Sequence, residues 1–240
     1  MGRAYSVRKA SIEKTGAAKA KVYSLYAREI YQAAKTGGTN VDSNDSLKRL
    51  VERAKKEQVP SDLIKRAIDK VNSGIDESYE NVRYEVFGPG GSTLIVDCLT
   101  DNVNRILSYI RPALNKNKAK MGVSGSVSYM YDHLSILRFK GLDEEQVIDA
   151  MINNDVEVDD IELNDDEITV YASAQDLFKG KKAIIDILPD VEFIVEEVSM
   201  IAKDTITLNG DDLESFNKMI NMLEDVEDVQ NIYHNVEQNI

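Results

Sequence analysis

The stretch that decides the fold is residues 135–200, SILRFKGLDEEQVIDAMINNDVEVDDIELNDDEITVYASAQDLFKGKKAIIDILPDVEFIVEEVSM. SILRF (135–139) reads as a strand. In DEEQVIDAMIN (143–153) the apolar positions recur at helical steps behind an acidic first turn. VEVDDIEL (156–163) and EITVYA (167–172) alternate with period two, and Asp165-Asp166 supplies the turn between them. AQDLFKGKKAIIDIL (174–188) is helical again, and EFIVEEVSM (192–200) closes the series as a strand. This βαββαβ order is the ferredoxin-like motif, in which two helices cover one face of an antiparallel sheet. The pattern sets a unit of residues 133–202.

Upstream, YEV (84–86) and TLIV (93–96) read as strands either side of GPGG (88–91). Asp101 or Asn102 caps a helix carrying Val103, Ile106, Leu107, Ile110 and Leu114. Pro112 lies inside that helix, so a bend or an early end is expected there. VSYMY (127–131) reads as a further strand. Downstream, TITL (205–208), DLESFNKMINMLE (212–224) and VQNIYHNV (229–236) read as strand, helix and strand. Residues 79–132 and 203–240 therefore form a second α+β unit, of similar order, into which the first is inserted.

Residues 1–75 read as helices. Val22, Leu25, Tyr26, Ile30 and Ala33 form one apolar stripe, ended by Gly37-Gly38. Asn44, Asp45 and Ser46 are candidate caps for a second helix bearing Leu47, Leu50, Val51 and Ala54. Pro60 opens a third with Leu63, Ile64, Ala67, Ile68 and Val71. Residues 75–80, IDESYE, form a short acidic linker. The expected fold class is thus α+β and multidomain: an N-terminal helical domain plus two ferredoxin-like α+β domains, one inserted in the other.

Charge is distributed unevenly along the chain. The net value is −13, yet residues 1–75 carry +8, residues 76–133 carry −1 and residues 134–240 carry −20. Such segregation suits one anionic partner and one repelled flank. The first 21 residues hold Arg3, Arg8, Lys9, Lys14, Lys19 and Lys21 against Glu13 alone and lack a clear apolar stripe, as a basic arm would. Arg28, Lys48, Arg49, Arg53, Lys55 and Lys56 extend the basic surface along the helices. A second cluster, Lys116, Lys118 and Lys120, leads into Gly122–Gly125, where backbone amides and ammonium groups can approach a phosphate together. These fifteen residues are the candidate nucleic-acid-binding set.

Catalytic patterns are lacking. GPGG has no GK[ST] and sits between strands, so a hairpin turn is expected there. His133 and His234 stand about 100 residues apart without acidic ligands at helical spacing. Cys98 follows LIVD as a small buried hydrophobe would, and a single cysteine fits a reducing cytoplasm. The acidic pairs at 159–160 and 165–166 match no calcium-loop spacing. No apolar run approaches the ~20 residues that span a bilayer. No catalytic residue, metal, cofactor, membrane or small-molecule substrate is expected.

AREIYQAAKTGG (27–38), QVPSDLIKRAI (58–68), GPGGSTLIVDCLTDNVNR (88–105) and GVSGSVSYMY (122–131) together resemble the YebC/PmpR family, which includes the mitochondrial translational activator of cytochrome c oxidase. The resemblance covers nearly the whole chain and implies a helical domain followed by two α+β domains. Many members begin with a GHSKW-type segment. This chain opens MGRAYSVRKASIEKT instead, like the branch sometimes called YeeN or YebC2. The family implies a regulator of gene expression that is not an enzyme. One expectation is a ribosome-associated translation factor that binds ribosomal RNA, with tRNA beside it, and relieves stalling at proline-rich sequences. The alternative is a DNA-binding transcriptional regulator. A third class, a protein-binding adaptor, would use the acidic sheets. The absence of a glycine turn between the second and third helices favours RNA over a helix-turn-helix reading of DNA.

Overall fold

Residues 15–73 and 78–237 are described in the computed structural model of the chain. Among them are seven helices and two four-stranded antiparallel sheets, an α+β protein. They fall into two compact units. One runs up to Val127 and resumes from Ile206 to Val236; the other, Ser128–Thr205, interrupts it.

In the interrupting unit, β4 (Tyr131–Lys140), β5 (Val158–Asn164), β6 (Glu167–Ser173) and β7 (Val195–Ala202) stand in the order β5-β6-β4-β7, all pairs antiparallel. Numbered within the unit, that order is second, third, first, fourth, the ferredoxin-like arrangement. Helices α5 (Glu144–Asn153) and α6 (Leu177–Ile187) share one core with Leu137, Phe139, Ile168 and Val170 through Val147, Met151, Ala183 and Ile184. Asp143 caps α5, with its side chain and that of Gln146 each accepting the other's backbone N–H. Asp165, in left-handed conformation, makes the turn between β5 and β6, since Asn164 pairs with Glu167.

The other unit opens with three helices, α1 (Thr15–Gly37), α2 (Asp45–Lys56) and α3 (Ser61–Asn72), packed around Ile30, Ala34, Leu47, Ala54, Ile64 and Ala67. Gly38 takes φ +94, the left-handed turn that ends α1. Asn44 caps α2 by accepting the Leu47 N–H, while its amide donates to the Ala33 and Gly38 carbonyls, tying the end of one helix to the start of the next.

Strands β1 (Glu80–Phe87), β2 (Thr93–Thr100), β3 (Lys120–Met121) and β8 (Val229–His234) form the second sheet, ordered β3-β1-β2-β8. Tyr84, Val86, Leu94, Val96 and Cys98 alternate onto one face. Helices α4 (Val103–Asn115) and α7 (Gly210–Glu224) cover that face through Ile106, Ile110, Phe216 and Met219. The sheet carries two helices, as expected, but its strands connect differently from those of the inserted unit. It opens with the β1–β2 hairpin, and both hairpin strands are central.

Three local expectations are corrected. Residues 128–130 form a turn of 3₁₀ helix, and the strand begins at Tyr131 as the first residue of β4. Of TITL only Ile206 pairs, in a single parallel bridge to Val236. Helix α4 runs on through Pro112 to Asn115 rather than ending early. Pro112 and Ser108, whose carbonyl the proline leaves without a helical donor, both lie on the exposed side of the helix.

Candidate nucleic-acid interface

The amphipathic pattern of α2 decides where its charges go. Leu47, Val51 and Ala54 turn inward, so Lys48, Lys55 and Lys56 are pushed to the exposed side. Lys48 and Lys55 stand seven residues apart and share one line along the helix; Arg49 and Lys56 share the next. Lys48, Lys55 and Lys56 form no ion pair with a described acidic residue. Lys65 and Arg66 on α3 are also exposed. The sequence reading omitted them, although the helical count that exposes Lys48 exposes them too.

Two members of the candidate set are used inside the fold. Arg28 is 15% exposed; one guanidinium nitrogen meets Glu227 at 3.0 Å and another meets Asp228. The Lys21 ammonium donates to the Glu224 carbonyl oxygen, and its burial pulls its pKa down although nearby acids, Glu224 first, oppose this. Neither offers a free cation to a phosphate. Arg53 is half-way between the two cases: its side chain is 46% exposed, 3.6 Å from Glu29, and donates to the Tyr26 hydroxyl at 3.0 Å. Lys19 is exposed on α1. Arg3, Arg8, Lys9 and Lys14 lie outside the described residues.

Asp228 is the centre of this internal clamp. Its carboxylate, 5% exposed, accepts from Arg28, from Arg105 at 2.9 Å and from the Thr100 hydroxyl at 2.8 Å. Burial alone would raise the carboxyl pKa, but Arg105, Thr100 and Arg28 outweigh it and hold the group below the ordinary carboxylate range. Ser24 donates to Glu227 at 2.7 Å, and Gln230 donates to Glu29 at 2.9 Å. Tyr31 meets Tyr79 edge to face at 5.9 Å. These contacts fasten α1 to the β8 end of the sheet.

The second cluster is built on the opposite end of the β1–β2 hairpin. Lys116, Lys118 and Lys120 are exposed, while Asn117 and Ala119 between them are buried. Asn117 donates to the Ala113 carbonyl at 2.7 Å, and Lys118 takes a left-handed φ of 57°. Lys120 pairs with Phe87, the residue before GPGG, so the register brings both loops to one end of the sheet. The buried Glu85 carboxylate accepts the Gly125 and Val127 amides and fixes the 122–127 loop. Phe87, Tyr109 and Val123 are exposed apolar residues on these same elements. GPGG forms a tight turn whose Gly90 has φ +63 and faces Leu208 too closely for a side chain. From the level of Asn81, at the α1 end, to Phe87 the hairpin extends about 20 Å at ~3.3 Å per residue.

Catalytic chemistry finds little support in the surroundings of Cys98 and the histidines. Cys98 is 1% exposed, and burial, with Asp97 and Asp228 nearby, pushes its thiol up to about 12, far from a thiolate. Burial pushes His234 down to about 4, so it is neutral, edge-on to Phe216 at 5.0 Å. His133 is exposed on β4, in the other unit. Among the described residues no cluster of three or more His, Cys, Asp or Glu side chains is placed to hold a metal, and no helix is long and apolar enough to cross a membrane.

Comparison with known proteins matches two adjoining segments of the chain. Residues 3–74 match the family model described as the TACO1/YebC protein N-terminal domain, and residues 79–236 match that of the TACO1/YebC second and third domain. The break between them falls in the acidic linker. A protein of Vibrio parahaemolyticus named a probable transcriptional regulatory protein is 48% identical over 237 residues, covering 99% of this chain and all of that one. A protein of the same description from Marinobacter nauticus is 49% identical, covering 99% and 98%. The crystal structure of the conserved hypothetical protein Aq1575 from Aquifex aeolicus superposes with a TM-score of 0.76 at 28% identity, covering 94% of this chain and 95% of the other. Matched over both segments and along its whole length, the chain belongs to the TACO1/YebC family.

Proposed function

We propose that this chain is a non-enzymatic nucleic-acid-binding regulator of gene expression that docks on ribosomal RNA and relieves stalling at proline-rich sequences. The observation that carries the proposal is the pairing of two exposed lysine sets on one compact unit. Lys48, Lys55 and Lys56 sit on α2; Lys116, Lys118 and Lys120 sit at the far end of the β1–β2 hairpin. Cations without acidic partners are available to phosphates, and each phosphate neutralised releases counterions. The −20 segment, which includes most of the interrupting unit, is repelled by the same phosphates. Lys19 and the arm residues Arg3, Arg8, Lys9 and Lys14 belong to the proposed surface; Lys21 and Arg28 do not.

Several features support RNA over duplex DNA. The first turn of α3, where a recognition helix would read bases, carries exposed Asp62, and the α2–α3 connection passes through Gln58 and Pro60. Two basic sets on one compact unit suit a folded phosphate surface. The action is positional: binding energy holds a slow substrate such as prolyl-tRNA in reactive geometry, with the GPGG and 116–125 loops at the working centre. No side chain has to move a proton.

The second reading, a DNA-binding transcriptional regulator, is favoured by the names of the relatives. Ribosome profiling and RNA sequencing of cells lacking the protein separate the two. The ribosomal reading predicts pausing at consecutive proline codons, with transcript levels changing secondarily. Unchanged pausing beside a compact set of directly bound, misregulated promoters would overturn it.

A further inference from the structure

Strand β5 ends the order β5-β6-β4-β7, so one of its sides pairs with β6 and the other faces no strand among the described residues. Asn164 and Glu167 close the two-residue turn as a hydrogen-bonded pair, which turns the backbone of Ile161 and Leu163 to the open side. There the Ile161 N–H donates to the neighbouring Asp160 carboxylate at 2.9 Å. Side chains alternate between the faces of the sheet. Ile161 packs on the core beneath the helices, and Leu163 shares its face. Asp160 and Glu162 occupy the other face, where Glu162 accepts from the Tyr171 hydroxyl at 3.3 Å. Helix α5 extends the apolar side. It turns Val147, Ala150 and Met151 inward, and Ile148 and Ile152 lie one turn apart on the flank beyond Met151. The right-handed β4–α5–β5 crossover sets that flank on the β5 side, away from α6. Ile152 is 66% and Leu163 57% exposed, so an apolar strip borders an open strand edge. Acids surround it: residues 141–178 contain 13 Asp and Glu and no Lys or Arg.

We propose that this edge receives an extended segment of a partner protein as an added strand, one in which apolar residues alternate with Lys or Arg. Strand addition draws affinity from main-chain hydrogen bonds and specificity from alternate side chains. An incoming carbonyl takes the Ile161 N–H and releases the Asp160 carboxylate to a cation. Basic residues of the segment then lie beside Asp160 and Glu162, while its apolar residues continue the strip of Leu163, Ile148 and Ile152. A second copy of the chain is a poor occupant, because two such acidic edges repel each other. The same charge keeps phosphates away and leaves the edge to a protein. The proposal needs no bound RNA and is independent of the nucleic-acid reading.

Fluorescence anisotropy of the full chain with a labelled synthetic peptide of alternating Lys and Val, as long as β5, tests this. Two control peptides accompany it: the same residues arranged in two blocks, and alternating Glu and Val. The alternating Lys and Val peptide is expected to bind at least about tenfold more tightly than either control. On its addition, amide hydrogen exchange at Ile161 and Leu163 is expected to slow at least about tenfold. The double variant Ile152→Ser/Leu163→Ser is expected to weaken binding about tenfold, as is Asp160→Lys. All three side chains are exposed, and either variant suffices should the other fail to fold. Equal binding of the block peptide would show attraction by charge alone and overturn the added strand, as would unchanged exchange at both amides. A chain that sediments as a dimer, and as a monomer once Ile152→Ser/Leu163→Ser is made, would place a second copy on this edge and overturn the proposal. So would the absence of binding by all three peptides.

Discussion

Asp228 and His234 lie close in sequence but govern stability in different pH windows. Asp228 has its native pKa depressed by Arg105, Thr100 and Arg28, so its stabilisation is present above the ordinary carboxylate range and is lost as pH falls through the native value. Asp228→Ala is expected to cost about 3 kcal/mol at neutral pH, since it leaves the 15%-exposed Arg28 without its buried partner. That difference should shrink in acid, as urea unfolding at pH 7 and pH 3 would check. His234 behaves oppositely in origin. Its native pKa is about 4, so between about 6.5 and 4 the unfolded chain binds a proton that the folded chain refuses. Stability is therefore expected to fall by up to about 3 kcal/mol as pH drops through that window. His234→Gln should flatten this window alone; an unchanged slope would show that the imidazole is not held neutral. Neither role was legible in the sequence. Arg28 looks like any other basic residue of the N-terminal third, because the acids that take it lie about 200 positions away.

At the scale of elements, the βαββαβ unit was legible because each piece has a clean period and the Asp165-Asp166 turn fixes its register. Elements at the borders of that unit were less so. Residues 127–131 look like a strand by apolar content, yet Glu85 draws the Gly125 and Val127 amides to itself and the chain turns before pairing. Similarly, TITL has strand composition but only Ile206 finds a partner. The exposed lysines of α2 were readable from helical spacing. Removing the acceptor by Glu85→Ala should free the 122–127 loop and destabilise the unit by about 2 kcal/mol. Hydrogen exchange at Gly125 and Val127 would rise toward that of an open loop if Glu85 is the anchor. Gly90→Ala should cost about 1–2 kcal/mol, because φ +63 disfavours a side chain and the added carbon would meet Leu208 at 2.6 Å. A melting temperature equal to the wild type's would show that the turn gives way.

For the whole molecule, segregated charge makes one prediction that the net value of −13 conceals. A chain this acidic should avoid nucleic acid at all salt concentrations if its charges acted as a mean field. If the two lysine sets act locally, binding should be strong at low salt and fall steeply as salt rises. The most direct test is the affinity of the full chain for ribosomal RNA across a salt series, repeated for Lys48→Glu/Lys55→Glu/Lys56→Glu and for Lys116→Glu/Lys118→Glu/Lys120→Glu. Each triple variant is expected to keep its fold, since all six side chains are exposed. Each should bind at least about tenfold more weakly and show a slope of log affinity against log salt smaller by about 2–3, the loss of up to three phosphate contacts. Binding and slope unchanged in both variants would contradict the placement of the nucleic-acid interface on these lysines.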